Sequence, residues 1–232
     1  MSVGDAVARL PRPLLVVVDF DGTLSEIVSD PAAAVPTPGA LQALARLAGT
    51  SGITVAVVSG RRLADLRRLI PIPGLTLVGE HGAAWDGVSV DRPAGYDEMA
   101  ALLDGVAARH PGAWVEAKEL SLVLHTRAVE DESAVVADAA RALAGHPEVT
   151  FGKRVVDVGL VAVDKGLAVA ELRSRCAADA VFFAGDDTTD ETVFAGLGPI
   201  DVGVKVGPGP TAARFRVDGP REVVTLLEQL RE

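Results

Sequence analysis

Asp19-Phe20-Asp21-Gly22-Thr23 sets two carboxylates two residues apart, directly after the apolar run Leu14–Val18. In open α/β sheets ligands bind beyond the carboxyl ends of the strands. Two acids at such an end could share a metal ion, with Gly22 allowing a tight turn. By itself the pentapeptide also fits a strand running into a polar turn. A second group, Val58-Ser59-Gly60-Arg61, again ends an apolar run; a hydroxyl and free N–H groups at a helix start can hold phosphate oxygens, although many such turns only cap a helix. A third, Asp164-Lys165-Gly166, precedes the helical stretch Leu167–Arg175. The macrodipole disfavours a lysine at a helix start unless an anion lies nearby. In a fourth, Asp186, Asp187, Asp190 and Glu191 place four acids within six residues after Val181–Ala184. Such acids repel one another, and a hard cation with oxygen ligands relieves that repulsion.

These groups need elements to hold them. Leu14–Val18, Ile53–Val58, Leu75–Val78 and Val181–Ala184 are β-branched or aromatic-rich apolar runs bounded by Gly, Asp or Ser, the pattern of fully buried strands. Val202–Val206 predicts a further strand. Pro38–Ala48, with Leu41, Leu44 and Leu47 at helical spacing, and Leu63–Ile70 predict helices between strands, and a last helix begins near Pro220. Strand–helix–strand alternation predicts an α/β fold with a parallel sheet. The middle breaks this rhythm. Trp114–Lys118 and Ser121–Arg127 alternate apolar with polar residues around a turn expected at Glu119-Leu120, which predicts an antiparallel sheet with one polar face. With Asp97–Arg109 and Asp131–Ala144 as helices, 86–159 is expected to form a separate α+β insert between core segments 1–85 and 160–232. Alternation puts Glu116 and Lys118 on one strand face and brings Ser121 and His125 onto it. That face, carrying both charge signs, suits sugar hydroxyls or plain solvent equally well.

Composition narrows the classes. Hydrophobic residues make up 49% of the 232, ample for a core, yet no run approaches the ~20 residues of a membrane span. Leu14–Val18 is too short for a signal-peptide core and Asp19 interrupts it, so a soluble cytoplasmic protein is expected, without membrane partners. Net charge is −10, which repels polyanions, so no nucleic-acid partner is expected. The single cysteine, Cys176, excludes an internal disulfide and a thiolate zinc site. The four histidines show no short metal-ligand spacing. Only four of the 22 basic residues are lysines, at 118, 153, 165 and 205, which hints that these positions need a compact point charge. No oligomer signal is evident, and a monomer or weak dimer is expected.

Acid, hydroxyl, lysine, acids, in that order and each at a strand end or helix start, resemble the haloacid dehalogenase superfamily over essentially the whole chain. Val-Gly-Glu-His-Gly at 78–82, Val-Glu-Ala-Lys at 115–118, Leu-His-Thr-Arg at 124–127 and Gly-Asp-Asp-Thr-Thr-Asp-Glu at 185–191 are similar to the trehalose-6-phosphate phosphatases within it, as is Val206-Gly207…Thr211-Ala212. The resemblance implies a Rossmann-like core with a C2-type cap as the insert, and hydrolysis of trehalose 6-phosphate through a phospho-aspartate. Asp19 would be the nucleophile and Asp21 the acid and base. Ser59 and Lys165 would hold the phosphate. Mg²⁺ would bind Asp19, the Asp21 backbone carbonyl and Asp186, with Asp187 and Asp190 orienting its waters and Lys165. The phosphorylated sugar would meet Gly60, Arg61, His81, Glu116, Lys118, His125, Arg127 and Asp157.

Two departures stand out. The family usually has Glu where this chain has Asp157, and His-Tyr-Arg where it has His125-Thr126-Arg127. Both fall in the part that would read the sugar, so the reaction is better specified than the substrate. Another disaccharide, pseudo-disaccharide or hexose phosphate keeps the same chemistry. A sugar phosphomutase would need a bisphosphate activator. A non-catalytic sugar-phosphate sensor would not need Asp19, Asp21, Lys165 and Asp186 together, and a glycosyltransferase with an Asp-x-Asp metal site would need neither Lys165 nor the second acidic group.

Overall fold

The computed structural model describes residues 2–87, 93–118, 120–152, 154–161 and 164–230. Glu119, at the expected turn, and Lys153, one of the four lysines, lie outside them. In chain order the elements are α1 (Val3–Val7), β1 (Leu14–Val18), α2 (Ala40–Ala48), β2 (Ile53–Val58), α3 (Leu63–Leu69), β3 (Thr76–Gly79) and β4 (Ala84–Trp85). Then come α4 (Tyr96–Arg109), β5 (Trp114–Ala117), β6 (Ser121–His125), α5 (Glu132–Ala142), β7 (Val149–Gly152) and β8 (Val155–Gly159). The chain ends with α6 (Lys165–Arg175), β9 (Ala180–Gly185), α7 (Glu191–Gly196), β10 (Val202–Val206), β11 (Phe215–Val217) and α8 (Pro220–Gln229).

The chain divides into two compact units, 1–87 with 164–232, and 88–163. The first holds a seven-stranded sheet in the order β11-β10-β9-β1-β2-β3-β4. Its pairings are parallel except that of β4 with β3. The expected parallel α/β fold is the one found. All five residues of β1 are buried, because the strand is covered on both faces. Leu14, Val16 and Val18 pack with Leu44 and Leu47 of α2, Leu66 of α3 and Val223 and Leu227 of α8. Leu15 and Val17 pack with Val169 and Leu172 of α6 and Phe194 of α7. Successive strands step outward from β1 in both directions, through β2 and β3 on one side and β9 and β10 on the other. The carboxyl end of β1 is therefore the point where strand order reverses, the place where such sheets bind ligands.

The second unit is an antiparallel sheet in the order β5-β6-β8-β7. One face packs Leu122, Leu124, Val156 and Val158 against Leu103 and Val106 of α4 and Val135 and Ala139 of α5. Period-two alternation leaves Trp114, Glu116, Val123, His125, Val155 and Asp157 on the other face. Two strands of this sheet, β7 and β8, lie beyond the predicted pair. Among the described residues no helix is long and apolar enough to cross a membrane.

Candidate active site

Three strand ends and one helix start converge at the reversal point. Asp19 follows β1 and its backbone N–H donates to Ala184 O at the end of β9, 2.9 Å away. Its carboxylate is almost wholly buried. Lys165, equally buried, donates to Asp19 Oδ1 at 3.0 Å and to Asp190 Oδ1 at 2.8 Å. Asp164 caps α6 by accepting from the N–H groups of Gly166 and Leu167, which fixes Lys165 in the first turn. A lysine there opposes the macrodipole, and the carboxylates of Asp19 and Asp190 supply the compensating anions. Burial disfavours the Lys165 ammonium, but the two acids outweigh it and its pKa is raised.

The acids respond differently. Burial pushes the Asp19 carboxyl up to about 8, against the pull of Lys165 and with the repulsion of Asp190 and Asp186. Burial, then repulsion from Asp190 and Asp187, pushes Asp186 up to about 6. One oxygen each of Asp19, Asp186 and Asp190 lie within 4.8 Å of one another. Asp190 spends both oxygens on protein donors, Oδ1 on Lys165 and Oδ2 on the Asp187 N–H at 2.9 Å. Asp19 spends one, and the Asp186 carboxylate accepts no hydrogen bond among the described residues. Oxygen ligands left over on Asp19 and Asp186, in a site crowded with negative charge, fit a hard divalent cation. Asp190 fits the orientation of Lys165.

Ser59, at the end of β2, is buried. Its Oγ accepts from the Arg61 N–H at 3.3 Å, so its hydroxyl proton remains to be donated. Glu80 and His81 both have left-handed backbone, with φ 49° and 56°, uncommon for residues other than glycine. The strained turn is strapped to the Ser59 segment: Glu80 N–H donates to Arg61 O and His81 N–H to Ser59 O, each at 2.9 Å. A Cβ on Gly60 would run into the His81 ring. Arg61 takes both oxygens of Asp21, with Nε to Oδ2 at 2.8 Å and Nη2 to Oδ1 at 2.6 Å, and Nη1 donates to Pro31 O. Asp187 is exposed, as the N-cap of a short turn.

On the open face of the second unit, His125 Nε2 lies 2.9 Å from Glu116 Oε2. Lys118 Nζ lies 3.9 Å from Asp157 Oδ2. Burial holds the Asp157 carboxyl above the usual range, against the pull of Lys118. Arg127 is exposed just beyond β6. Thr126, where a tyrosine is usual in the resembling family, is buried and donates to Glu132 Oε1 at 3.0 Å.

The trehalose-phosphatase family model matches residues 17–221. The chain belongs to the trehalose-phosphatase family. It is 37% identical to the trehalose-phosphate phosphatase of Mycobacterium marinum over 95% of this chain and 62% of that one. It is 38% identical to the bifunctional trehalose-6-phosphate synthase/phosphatase of Thermoproteus tenax over 97% of this chain and 32% of that one. The chain thus spans a third to somewhat under two thirds of the length of these relatives. Its fold superposes on the C-terminal domain of the Candida albicans trehalose-6-phosphate phosphatase with a TM-score of 0.79 at 23% identity, covering 99% of this chain and 95% of that one. A haloacid dehalogenase-like hydrolase from Bacteroides thetaiotaomicron gives 0.72 at 14% identity, covering 93% and 98%.

In this trehalose-phosphatase chain one buried lysine takes a role that its scarcity alone did not specify. Lys205 of β10 is buried, donates to the backbone carbonyl of Asp186, and lies 4.0 Å from Glu191 Oε1. It holds the main chain of the acidic segment from below. The scarcity of lysines was the available signal. Gly22, at φ +70°, sits where a Cβ would collide with the Asp186 carboxylate. Gly22→Ala is therefore expected to lower stability by about 1–3 kcal/mol through backbone strain and to displace Asp186. Thermal denaturation and divalent-cation titration check both effects, and native-like cation affinity would contradict the second.

Proposed function

We propose that the chain is a Mg²⁺-dependent phosphatase that hydrolyses trehalose 6-phosphate to trehalose and phosphate through a phospho-aspartate on Asp19. The observation that carries the reading is the buried Asp19–Lys165–Asp190 chain at the reversal point of the sheet, with Asp186 and Ser59 beside it on neighbouring strand ends.

Bringing a carboxylate up to a phosphate costs about 4 kcal/mol per unit-charge pair at ~4 Å and an effective dielectric of ~20. Lys165 offsets part of that cost, and its two carboxylate partners hold it ready rather than leaving it to reorganise. Ser59 donates its hydroxyl proton to a phosphate oxygen. When bound, Mg²⁺, held by Asp19, Asp186 and the Asp21 carbonyl, supplies the rest of the neutralising charge at the phosphate. An oxygen of Asp19 forms a bond to phosphorus as the bond from phosphorus to the sugar oxygen breaks. Asp21 gives that sugar oxygen a proton, then takes one from the water whose oxygen displaces Asp19 from phosphorus. Arg61 occupies both oxygens of Asp21 in the structure. Asp21 must therefore exchange the guanidinium for the leaving oxygen, a change of side-chain rotamer, so Arg61 acts first on the acid.

The 88–163 unit is read as the specificity cap, with Glu116, Lys118, His125, Arg127 and Asp157 meeting the sugar hydroxyls, and Gly60, Arg61 and His81 completing the binding of the substrate. Asp187 orients the waters of the cation. A charged sugar phosphate is retained by a lipid bilayer, in keeping with a cytoplasmic enzyme. Phosphate release from a panel of trehalose, glucose and other disaccharide phosphates with Mg²⁺ tests the reading. Strong preference for trehalose 6-phosphate is expected. Flat, weak release across the panel would refute the substrate, and undiminished release in excess chelator would refute the metal.

A further inference from the structure

We propose that Trp114 is a stacking platform for a glucose ring of the substrate. The proposal rests on the reading of the open sheet face as the sugar-reading surface, and it names the residue that meets the ring's apolar side. Trp114 is 53% exposed, which is unusual for so large an apolar side chain at the start of a strand. It is also held in place. Trp114 pairs with His125 across the β5–β6 ladder, and their rings stack with centroids 4.0 Å apart and planes 7° from parallel. His125 is in turn fixed by Glu116. With the imidazole on one side, the exposure of Trp114 belongs to its opposite face and edge. Its indole N–H donates to no protein acceptor among the described residues. Trp85, the other tryptophan, contrasts on both counts: its N–H donates to Gly82 O at 2.9 Å, and the Arg175 guanidinium lies 4.5 Å above its ring.

A pyranose ring has a flat C–H side and a rim of hydroxyls. A rigid aromatic plane answers the first, and a few placed polar groups answer the second. Glu116 and Asp157 offer acceptors on the same sheet face, Lys118 offers donors, and the Trp114 N–H adds one more at the edge of the plane. A tryptophan whose only task was to shield the His125–Glu116 pair would not need an open face or an unengaged N–H. The occupant that fits is an uncharged sugar ring joined to the phosphorylated one, so Trp114 acts on the choice of sugar and not on the phosphate.

Native protein, Trp114→Phe and Trp114→Ala are compared on trehalose 6-phosphate and on acetyl phosphate, a ringless substrate of the core site alone. Trp114→Ala is expected to raise KM for trehalose 6-phosphate about tenfold with kcat little changed, Trp114→Phe to recover most of the loss, and acetyl phosphate turnover to stay native in both. An unchanged KM in Trp114→Ala, or equal losses on both substrates, would overturn the proposal. A native protein with no preference for trehalose 6-phosphate would instead refute the substrate reading. The platform is then judged by fluorescence of Trp85→Phe, in which Trp114 is the sole tryptophan. Saturable change on adding trehalose supports it, and flat emission refutes it.

Discussion

Asp19→Asn should reduce turnover by about 10⁴-fold or more while leaving the protein folded. The amide is close in shape to the carboxylate but cannot attack phosphorus, and loss of a nucleophile alone removes most of the catalysis of a covalent mechanism. Acid-quenched native enzyme should carry a phosphoryl group on Asp19, seen as a mass increment on its peptide, and the variant should carry none. The stability effect has the opposite sense. The Asp19 carboxyl titrates near 8 in the fold against an ordinary 3.8, so between those values the native state binds more protons than the unfolded chain. Stability of the metal-free protein therefore falls as pH rises through that window. Asn carries no such proton, so in chelator at pH 7 Asp19→Asn should melt at or above the native temperature. Residual native-level turnover would refute the covalent route. A melting temperature far below native would show that Asp19 is needed as a partner for Lys165 more than it is resented as a buried charge.

Lys165→Met should damage both turnover and the fold. Methionine fills similar space without charge, and it leaves Asp19 and Asp190 facing each other where Lys165 had donated to both. Stranding one side of a buried ion pair typically costs about 3–5 kcal/mol, and losing a preorganised charge at the reacting group about 10²–10³ in kcat. The double variant Lys165→Met/Asp190→Asn separates the two effects. It should regain much of the stability, since one of the stranded charges is gone, yet none of the turnover. If the double variant recovered turnover, Lys165 would be structural only. If the single variant were as stable as native, the two carboxylates would not depend on it. Chemical denaturation and steady-state phosphate release report the two quantities independently.

The central strands were legible because burial on both faces leaves no room for a polar residue. Leu14–Val18 and Val181–Ala184 are apolar throughout, and the acids follow where the strands leave the core. Short edge elements were not. β4 and β11 have two and three residues, too few for any period to register, and α7 opens inside the acidic segment, so its first turn is indistinguishable from a ligand loop. The α6 start moved from Leu167 to Lys165 because capping by Asp164 draws the lysine into the first turn. Asp190 could be counted among the acids, and the resemblance implied that it orients Lys165, but its bond to a lysine 25 residues earlier in the chain has no local signature. The Arg61–Asp21 pair, 40 residues apart, carries no local signature either. Nor does the left-handed backbone at Glu80 and His81, neither of them a glycine, although Gly79 and Gly82 flank them.

The placement of β1 between β2 and β9 has a consequence for how the protein comes into being. The nucleophile belongs to the first strand, but the residues that complete it arrive late: Lys165 is 146 positions further on, and β9 and the acidic segment follow. Closing so long a loop costs little more entropy than closing one half its length, yet such non-local pairing slows folding. During synthesis β1 must therefore wait, with one edge unsatisfied, until β9 has been made. The 88–163 unit, with a hydrophobic cluster of its own, can order itself inside that open loop. The reactive constellation is thus among the last features to form, and a truncated chain lacking β9 would hold an aspartate but not the means to use it.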